Sequence, residues 1–330
     1  MKSIKKHLFI FFIIVVLQIN LFADLINVIG HGYQKSILDF ENKIANTIVA
    51  KLKDAKTHDE RKKIINYVHS NQKFDLKNGI FWGDCSWLAN RILEEVNPKL
   101  YKKMLKLRED GDSELRAYVY YHAFNEILRL KTTKKNMLGI VTDDALSEPN
   151  KWVYDTSPAE LKKELNQNLR NKEKKDNSIK SYTKKYNFLK KIKTKKWIDH
   201  LEDIKNDWTI VTNVKNWKPG DFLVAYYKMN KDQIEEGETE STGHSLMIIG
   251  YPKDVDRVIG NVIYEIEVMD SGQNPRIDDK IRKGSDSGIG IGKIRVLTNP
   301  LTKKAIGWQI KRSNTEWRDT GGRMIVGRMK

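Results

Sequence analysis

The sequence holds a single cysteine, Cys85, in 330 residues, so an internal disulfide is excluded. Beyond one run near the start, no stretch is apolar enough to cross a bilayer. Zinc-finger spacing, RNA-binding signatures and other nucleic-acid motifs are missing, so no specific nucleic-acid partner is expected. No cluster of His, Glu and Asp has the spacing of a zinc site, and neither a metal nor an organic cofactor is expected. There is no internal repeat.

The start of the chain bears on compartment. Lys2, Lys5 and Lys6 precede an unbroken apolar run from Leu8 to Leu17, and Leu21-Phe22-Ala23 ends in a small residue before Asp24. This is the pattern of a secretory signal peptide. The other reading is an uncleaved anchor, but Gln18 and Asn20 interrupt a run already short of the roughly 20 residues a span needs. Cleavage after Ala23 takes 23 residues from 330 and leaves 307, with no membrane span. Loss of the three lysines lowers the formal charge from +17 to +14. No cysteine follows the run, which argues against a lipid anchor. The expectation is an exported monomer of the periplasm or the extracellular space. The many lysines read either as solvated helix faces, interleaved with acids, or as attraction to an anionic partner.

Apolar residues at Ile37-Leu38, Phe40, Ile44, Ile48-Val49 and Leu52 recur at helical steps, predicting an N-terminal helical segment over 24–78 that is helical to about residue 72. Residues 74–82 read as a loop or extended approach. A helix is predicted from about Cys85 to Val96, stopped by Asn97-Pro98, with further helices near 99–109 and 113–130. The Lys-rich span 131–207 reads as an insertion of solvated helices, with Trp197, Trp208 and Trp217 marking the return of ordered structure. Strands are then predicted at 222–227, 244–250, 262–269, 289–297 and 305–311. Helices first and an antiparallel sheet afterwards predict an α+β fold, with the main domain over 79–330.

Cys85 falls at the predicted first turn of a helix, in Trp82-Gly83-Asp84-Cys85-Ser86-Trp87. Unpaired N–H groups at a helix N-terminus favour thiolate and can hold a developing oxyanion. Such a nucleophile needs a base, oriented by a third polar group. Of the six histidines after the signal, only His244 opens a strongly apolar strand and follows a glycine. Each residue also has a plainer reading: Cys85 as a buried, inert thiol and His244 as a strand-end residue without a chemical role. His122, in Tyr120-Tyr121-His122, reads as a core histidine.

Asp84-Cys85-Ser86, then Pro219-Gly220-Asp221 leading into a strand, then Gly243-His244 opening a strand that ends at Gly250, occur in this order. The succession resembles the landmarks of NlpC-type cell-wall peptidases, within the papain-like cysteine hydrolases. The resemblance implies a nucleophile helix packed on an antiparallel sheet, Cys85 as nucleophile and His244 as general base. Asp270, after the strand Tyr264–Met269, matches the orienting third residue. Asp84, Ser86 and Trp87 would border the substrate, a peptidoglycan or related small peptide cut at an amide bond. The same machinery can transfer the acyl group to an amine, and the same scaffold can serve as a catalytically silent envelope-binding protein. Trp87 stands where the family has glycine, and the 159 residues from Cys85 to His244 exceed the spacing of compact members.

Asp270-Ser271-Gly272, Arg276, Arg282, Gly288-Ile289-Gly290-Ile291-Gly292 and Gly307-Trp308 resemble uncharacterised exported bacterial members of the superfamily. Alternating glycines bare one strand face, for a ligand or for packing against Trp308. Arg276 and Arg282 suit a substrate carboxylate.

Overall fold

A computed structural model describes residues 33–108, 111–137, 191–192, 194–226, 243–258, 260–310, 318–319 and 323–330. The expected signal peptide and most of the Lys-rich insertion, 138–190, lie outside these residues. Among the described residues no helix is long and apolar enough to cross a membrane.

The first helix, α1 (33–52), buries Ile37, Phe40, Ile44, Ile48 and Leu52 along one stripe. It ends earlier than its pattern predicts. A capping box between Thr57 and Glu60 starts α2 (His58–Ile64), and the chain then turns to strand β1 (Ile65–Asn66). β1 joins β2 (Lys73–Asp75) and β3 (Ile80–Trp82) in a small sheet of order β1-β3-β2.

Helix α3 (Cys85–Val96) follows, burying Leu88, Ala89, Ile92 and Leu93. Asn97 closes α3 and its side chain caps α4 (Pro98–Leu105), with Pro98 in the first turn where its missing N–H costs nothing. Helix α5 (Ala117–Met137) and helix α6 (Lys195–Ile204) complete the described helices. The C-terminal end of the expected solvated insertion therefore belongs to the core. In α6, Trp197, Leu201 and Ile204 are buried, and Trp197 Nε1 donates to the Leu107 carbonyl.

The helices pack against a nine-stranded sheet. Its strands are β4 (Trp208–Ile210), β5 (Phe222–Tyr226), β6 (Gly243–Ile248), β7 (Lys253–Val258), β8 (Asn261–Gly272), β9 (Gly288–Thr298), β10 (Ala305–Gln309), β11 (Arg318–Asp319) and β12 (Met324–Met329). The order is β11-β10-β9-β8-β6-β5-β12-β4, with β7 on β8, and all paired neighbours are antiparallel. Met247, Met269 and Ile289 face the helices, whereas Leu246, Ile248, Val268 and Ile294 join Trp217 and Trp308 in a second core. By strand alternation His244 and Asp270 lie on that second face.

The Pro-Gly-Asp turn has a structural task. Gly220 has φ +86, and a Cβ there would lie 3.1 Å from the Gln34 Cα. Asp221 is fully buried and accepts from the Arg328 fork at 2.7 and 2.8 Å, which binds β5 to the last strand. Strand β7 was not expected: its residues Lys253-Asp254-Val255-Asp256-Arg257-Val258 are all exposed, so burial left no pattern to read.

Candidate active site

Asp84 is the N-cap of α3, with φ −84 and ψ −179. Its Oδ1 accepts the Trp87 N–H at 2.8 Å, which fixes where the helix begins and puts Cys85 at its first position. Its Oδ2 meets Arg116 Nη1 at 3.0 Å and His69 Nδ1 at 3.2 Å. Burial opposes the Asp84 charge, but the His69 contact, the Trp87 N–H and Arg116 outweigh it and hold the carboxyl below its usual range.

The turn before Cys85 is pinned on both sides. The Gly83 N–H donates to the Asn66 carbonyl at 3.0 Å, and Ser271 Oγ donates to the Gly83 carbonyl at 2.5 Å. Strands β6 and β8 pair through Met247–Met269 and Ile248–Val268. Beyond those pairs, toward Ser271, the Gly83–Cys85 turn docks. Ser86 Oγ accepts the Ala117 N–H at 3.0 Å and lies 3.9 Å from Cys85 Sγ.

His244 opens β6 opposite Ala225. A side chain at the preceding Gly243 would put a Cβ 2.5 Å from the Ala225 carbonyl, so the histidine follows a glycine for steric reasons. His244 Nε2 lies 2.6 Å from Asp270 Oδ2. Burial disfavours the imidazolium, yet the charge of Cys85 and the hydrogen bonds to Asp270 and to Cys85 push its pKa up to about 9. Since Nε2 is engaged by Asp270, Nδ1 is the nitrogen left for Sγ. Trp308 covers the pair, its ring centroid 6.3 Å from that of His244. Cys85 is 5% exposed and His244 8%.

Asp270 is fully buried. Oδ1 accepts Arg282 Nη2 at 2.8 Å, while Oδ2 accepts Arg276 Nε at 3.0 Å and also Arg276 Nη2. Burial would raise this carboxyl, but Arg276, Arg282 and His244 together hold it well below the usual carboxylate range. Arg276 Nη2 is also 2.9 Å from His244 Nε2. Because an ionised Asp270 has no proton to offer, Nε2 must carry the hydrogen and donate it to Asp270. Arg276 then faces the ring as a nearby cation.

The glycines of β9 make this possible. Gly290 pairs with Asp270, and a Cβ on it would sit 2.0 Å from Arg282 Nε. A Cβ on Gly292 would lie 2.6 Å from the Arg276 Cβ. The bared strand face is thus occupied by the protein's own arginines, neither left for a ligand nor filled by Trp308.

The positions expected to meet substrate are committed inward. Arg276 holds the carboxylate of Asp270; Asp84 and Ser86 make the bonds above. Trp87 is buried over Gly83, where a Cβ would be 2.2 Å from its ring, and lies edge-on to Phe74 at 5.7 Å. His122 is buried beside Tyr121 and Tyr226, with ring centroids 5.5 Å away in each case. Sequence reasoning missed His69 and Arg116, which come from distant segments and carry no local signal. It also missed Asp279, which accepts from Arg282 Nε at 2.7 Å. Among the described residues no group of three or more His, Cys, Asp and Glu side chains could hold a metal ion.

No protein-family model, curated protein or solved structure matches the chain.

Proposed function

We propose that this is an exported papain-like cysteine hydrolase that cuts an amide bond, with Cys85 as nucleophile, His244 as base and Asp270 orienting the ring. The observation that carries the reading is His244 itself. One ring nitrogen is held by a buried carboxylate at 2.6 Å, and the Cys85 charge is the strongest influence raising its pKa to about 9. A cysteine at a helix start, with histidine and aspartate supplied by neighbouring strands of an antiparallel sheet, also fits the architecture the sequence motifs imply.

The chemistry follows from the geometry. His244 takes the Cys85 proton, and the thiolate adds to the carbonyl carbon of the scissile amide. The first N–H groups of a helix lack intrahelical acceptors. Asp84 takes that of Trp87, so those of Cys85 and Ser86 are the donors that would meet the oxyanion. Collapse breaks the C–N bond as the imidazolium protonates the leaving amine. Water, deprotonated by His244, then attacks the thioester, releasing the acid and restoring the thiol. A peptidoglycan stem peptide or related small peptide is the substrate class implied by the resemblance; an amine in place of water would make the product a new amide.

The 5% exposure of Cys85 favours one other reading, a catalytically silent envelope-binding protein. Alkylation by iodoacetamide near neutral pH, measured against a free-thiol standard, separates the two. The hydrolase reading expects faster reaction in the native protein and a fall toward the standard in His244→Ala. Incubation with purified peptidoglycan should release new amines from the native protein and none from Cys85→Ala. An unreactive Cys85 in the folded protein would sink the hydrolase reading.

A further inference from the structure

Resting on the cysteine-hydrolase reading, we propose that Arg276 and Arg282 are positioning residues for His244. Their forks lock the Asp270 carboxylate in one orientation, and their charges set the pH window in which the Cys85–His244 pair works.

Asp270 has both oxygens engaged: Oδ1 by Arg282, and Oδ2 by Arg276 and His244. Rotating the carboxylate would break several charge-assisted bonds at once in a site closed to water. Arg282 is itself held, with Nε on Asp279 at 2.7 Å and Nη1 on the Gly288 carbonyl at 3.0 Å. Asp279 also accepts the N–H groups of Arg276, Ile281 and Arg282, so one carboxylate shapes the loop that delivers both arginines. A second tie comes from Asp286, which accepts from Arg61 Nε at 2.6 Å and from the Lys283 N–H at 2.9 Å. The two forks converge on the Asp270 carboxylate, Arg282 at Oδ1 and Arg276 at Oδ2, where the imidazole also docks.

The charges explain why a lone aspartate is not enough. Among the described residues, the charged and titratable groups facing His244 are Cys85, Asp270 and Arg276. Arg282 and Asp279 stand behind Asp270, and Asp84 stands beside Cys85 with His69 and Arg116. Arg276, Arg282, Asp270 and Asp279 together are formally neutral. An uncompensated buried Asp270 would hold the imidazolium more firmly and slow the return of its proton to a leaving amine. With the arginines present, the carboxylate keeps its geometry while its field at the ring is reduced. A cation 2.9 Å from Nε2 opposes the imidazolium, so Arg276 holds the His244 limb of the pH profile lower than it would otherwise lie.

Three variants separate charge from geometry, each checked for folding by circular dichroism. Arg276→Gln removes a charge 2.9 Å from Nε2 and should move the His244 limb of the iodoacetamide pH profile upward by about one unit. Arg282→Lys keeps the charge and loses the fork. It should leave the limbs in place while slowing alkylation at the optimum about ten- to a hundred-fold. Gly290→Ala displaces the Arg282 fork without changing any charge and should behave like Arg282→Lys. A His244 limb unmoved in folded Arg276→Gln, or a full rate in Arg282→Lys, would overturn the proposal. Arg282→Lys leaves no buried carboxylate without a cation, so it decides the matter if the other two fail to fold. If native Cys85 reacts no faster than a free thiol, the hydrolase reading falls and this inference with it; a reactive native protein with indifferent variants defeats the inference alone.

Discussion

Asp84 and Asp270 lie on either side of the Cys85–His244 pair, and each is a buried carboxylate with two basic side chains from one side of the site or the other. The difference is where those partners end. His69 and Arg116 leave 41% and 39% of their side chains exposed, whereas Arg276 and Arg282 leave 4% and 0%. Asp84 therefore shares its cations with water and counterions, and its distinctive task is the backbone bond that starts α3. Asp270 has no such recourse. Removing one member of a sealed ionic cluster strands the others in low dielectric, while removing one member of an open cluster lets the rest return to solvent.

The largest effect is expected from Asp270→Asn. It takes the Asp270 charge away from two buried arginines, leaving Arg282 with Asp279, and should destabilise the fold by about 3–5 kcal/mol, read from the urea midpoint. On the cysteine-hydrolase reading, any folded fraction should lose roughly a hundred- to ten-thousand-fold in turnover, because an amide that turns its NH2 to Nε2 fixes the wrong tautomer of the ring. A stable, active Asp270→Asn would erase the distinction between the two carboxylates.

Asp84→Asn should cost much less. Asparagine is as good an N-cap as aspartate, so the Trp87 bond survives and only two half-exposed ion pairs are lost, about 1 kcal/mol. That loss should shrink in 1 M salt, where exposed charges are screened within about 3 Å, while the deficit of Asp270→Asn should not. The acid response sharpens the same contrast. Both carboxyls titrate below 3.8, their value in the unfolded chain. The stability each contributes is complete above that pH and is lost as pH falls through the folded value. Asp270 is held much the lower, so Asp84 should give way first on acidification, and Asp84→Asn should remove the earlier part of the loss.

These contrasts also mark what could be read in the chain beforehand. β5, β6, β8, β9 and β10 were legible because burial wrote apolar runs between Gly and Pro punctuation. Cys85 and His244 were legible as a helix start and a strand start, whereas Asp270, read as following the end of a strand at Met269, lies inside β8, which continues to Gly272. The clamp was only half visible: Arg276, Arg282 and the glycines were evident as a set, but the carboxylate they serve lies six to twelve residues before the arginines. Turning them inward depends on the pairing of Gly290 with Asp270. That register is a property of the sheet, and local pattern does not encode it. His69 and Arg116 converge on Asp84 from 15 residues before it and 32 after, a meeting set by tertiary packing alone.

Glu41 supplies an effect of the opposite sign. It lies in α1, 2% exposed, and among the described residues neither carboxyl oxygen has a hydrogen-bond partner. Burial raises its pKa well above 4.5. Asp84 and Asp270 are ionised in the fold, whereas Glu41 is a neutral acid there and a charged one in the unfolded chain once the pH passes 4.5. Its penalty is therefore absent below that pH and grows as pH rises toward the folded value, the reverse of the two aspartates. Glu41→Leu replaces the acid with an apolar group of similar size along the Ile37, Ile44 and Ile48 stripe. It should change stability little at pH 4 and add about 1–3 kcal/mol at pH 7, with Cys85 alkylation unaltered. Urea midpoints across that range would measure it; a gain independent of pH would mean that Glu41 is not the titrating group.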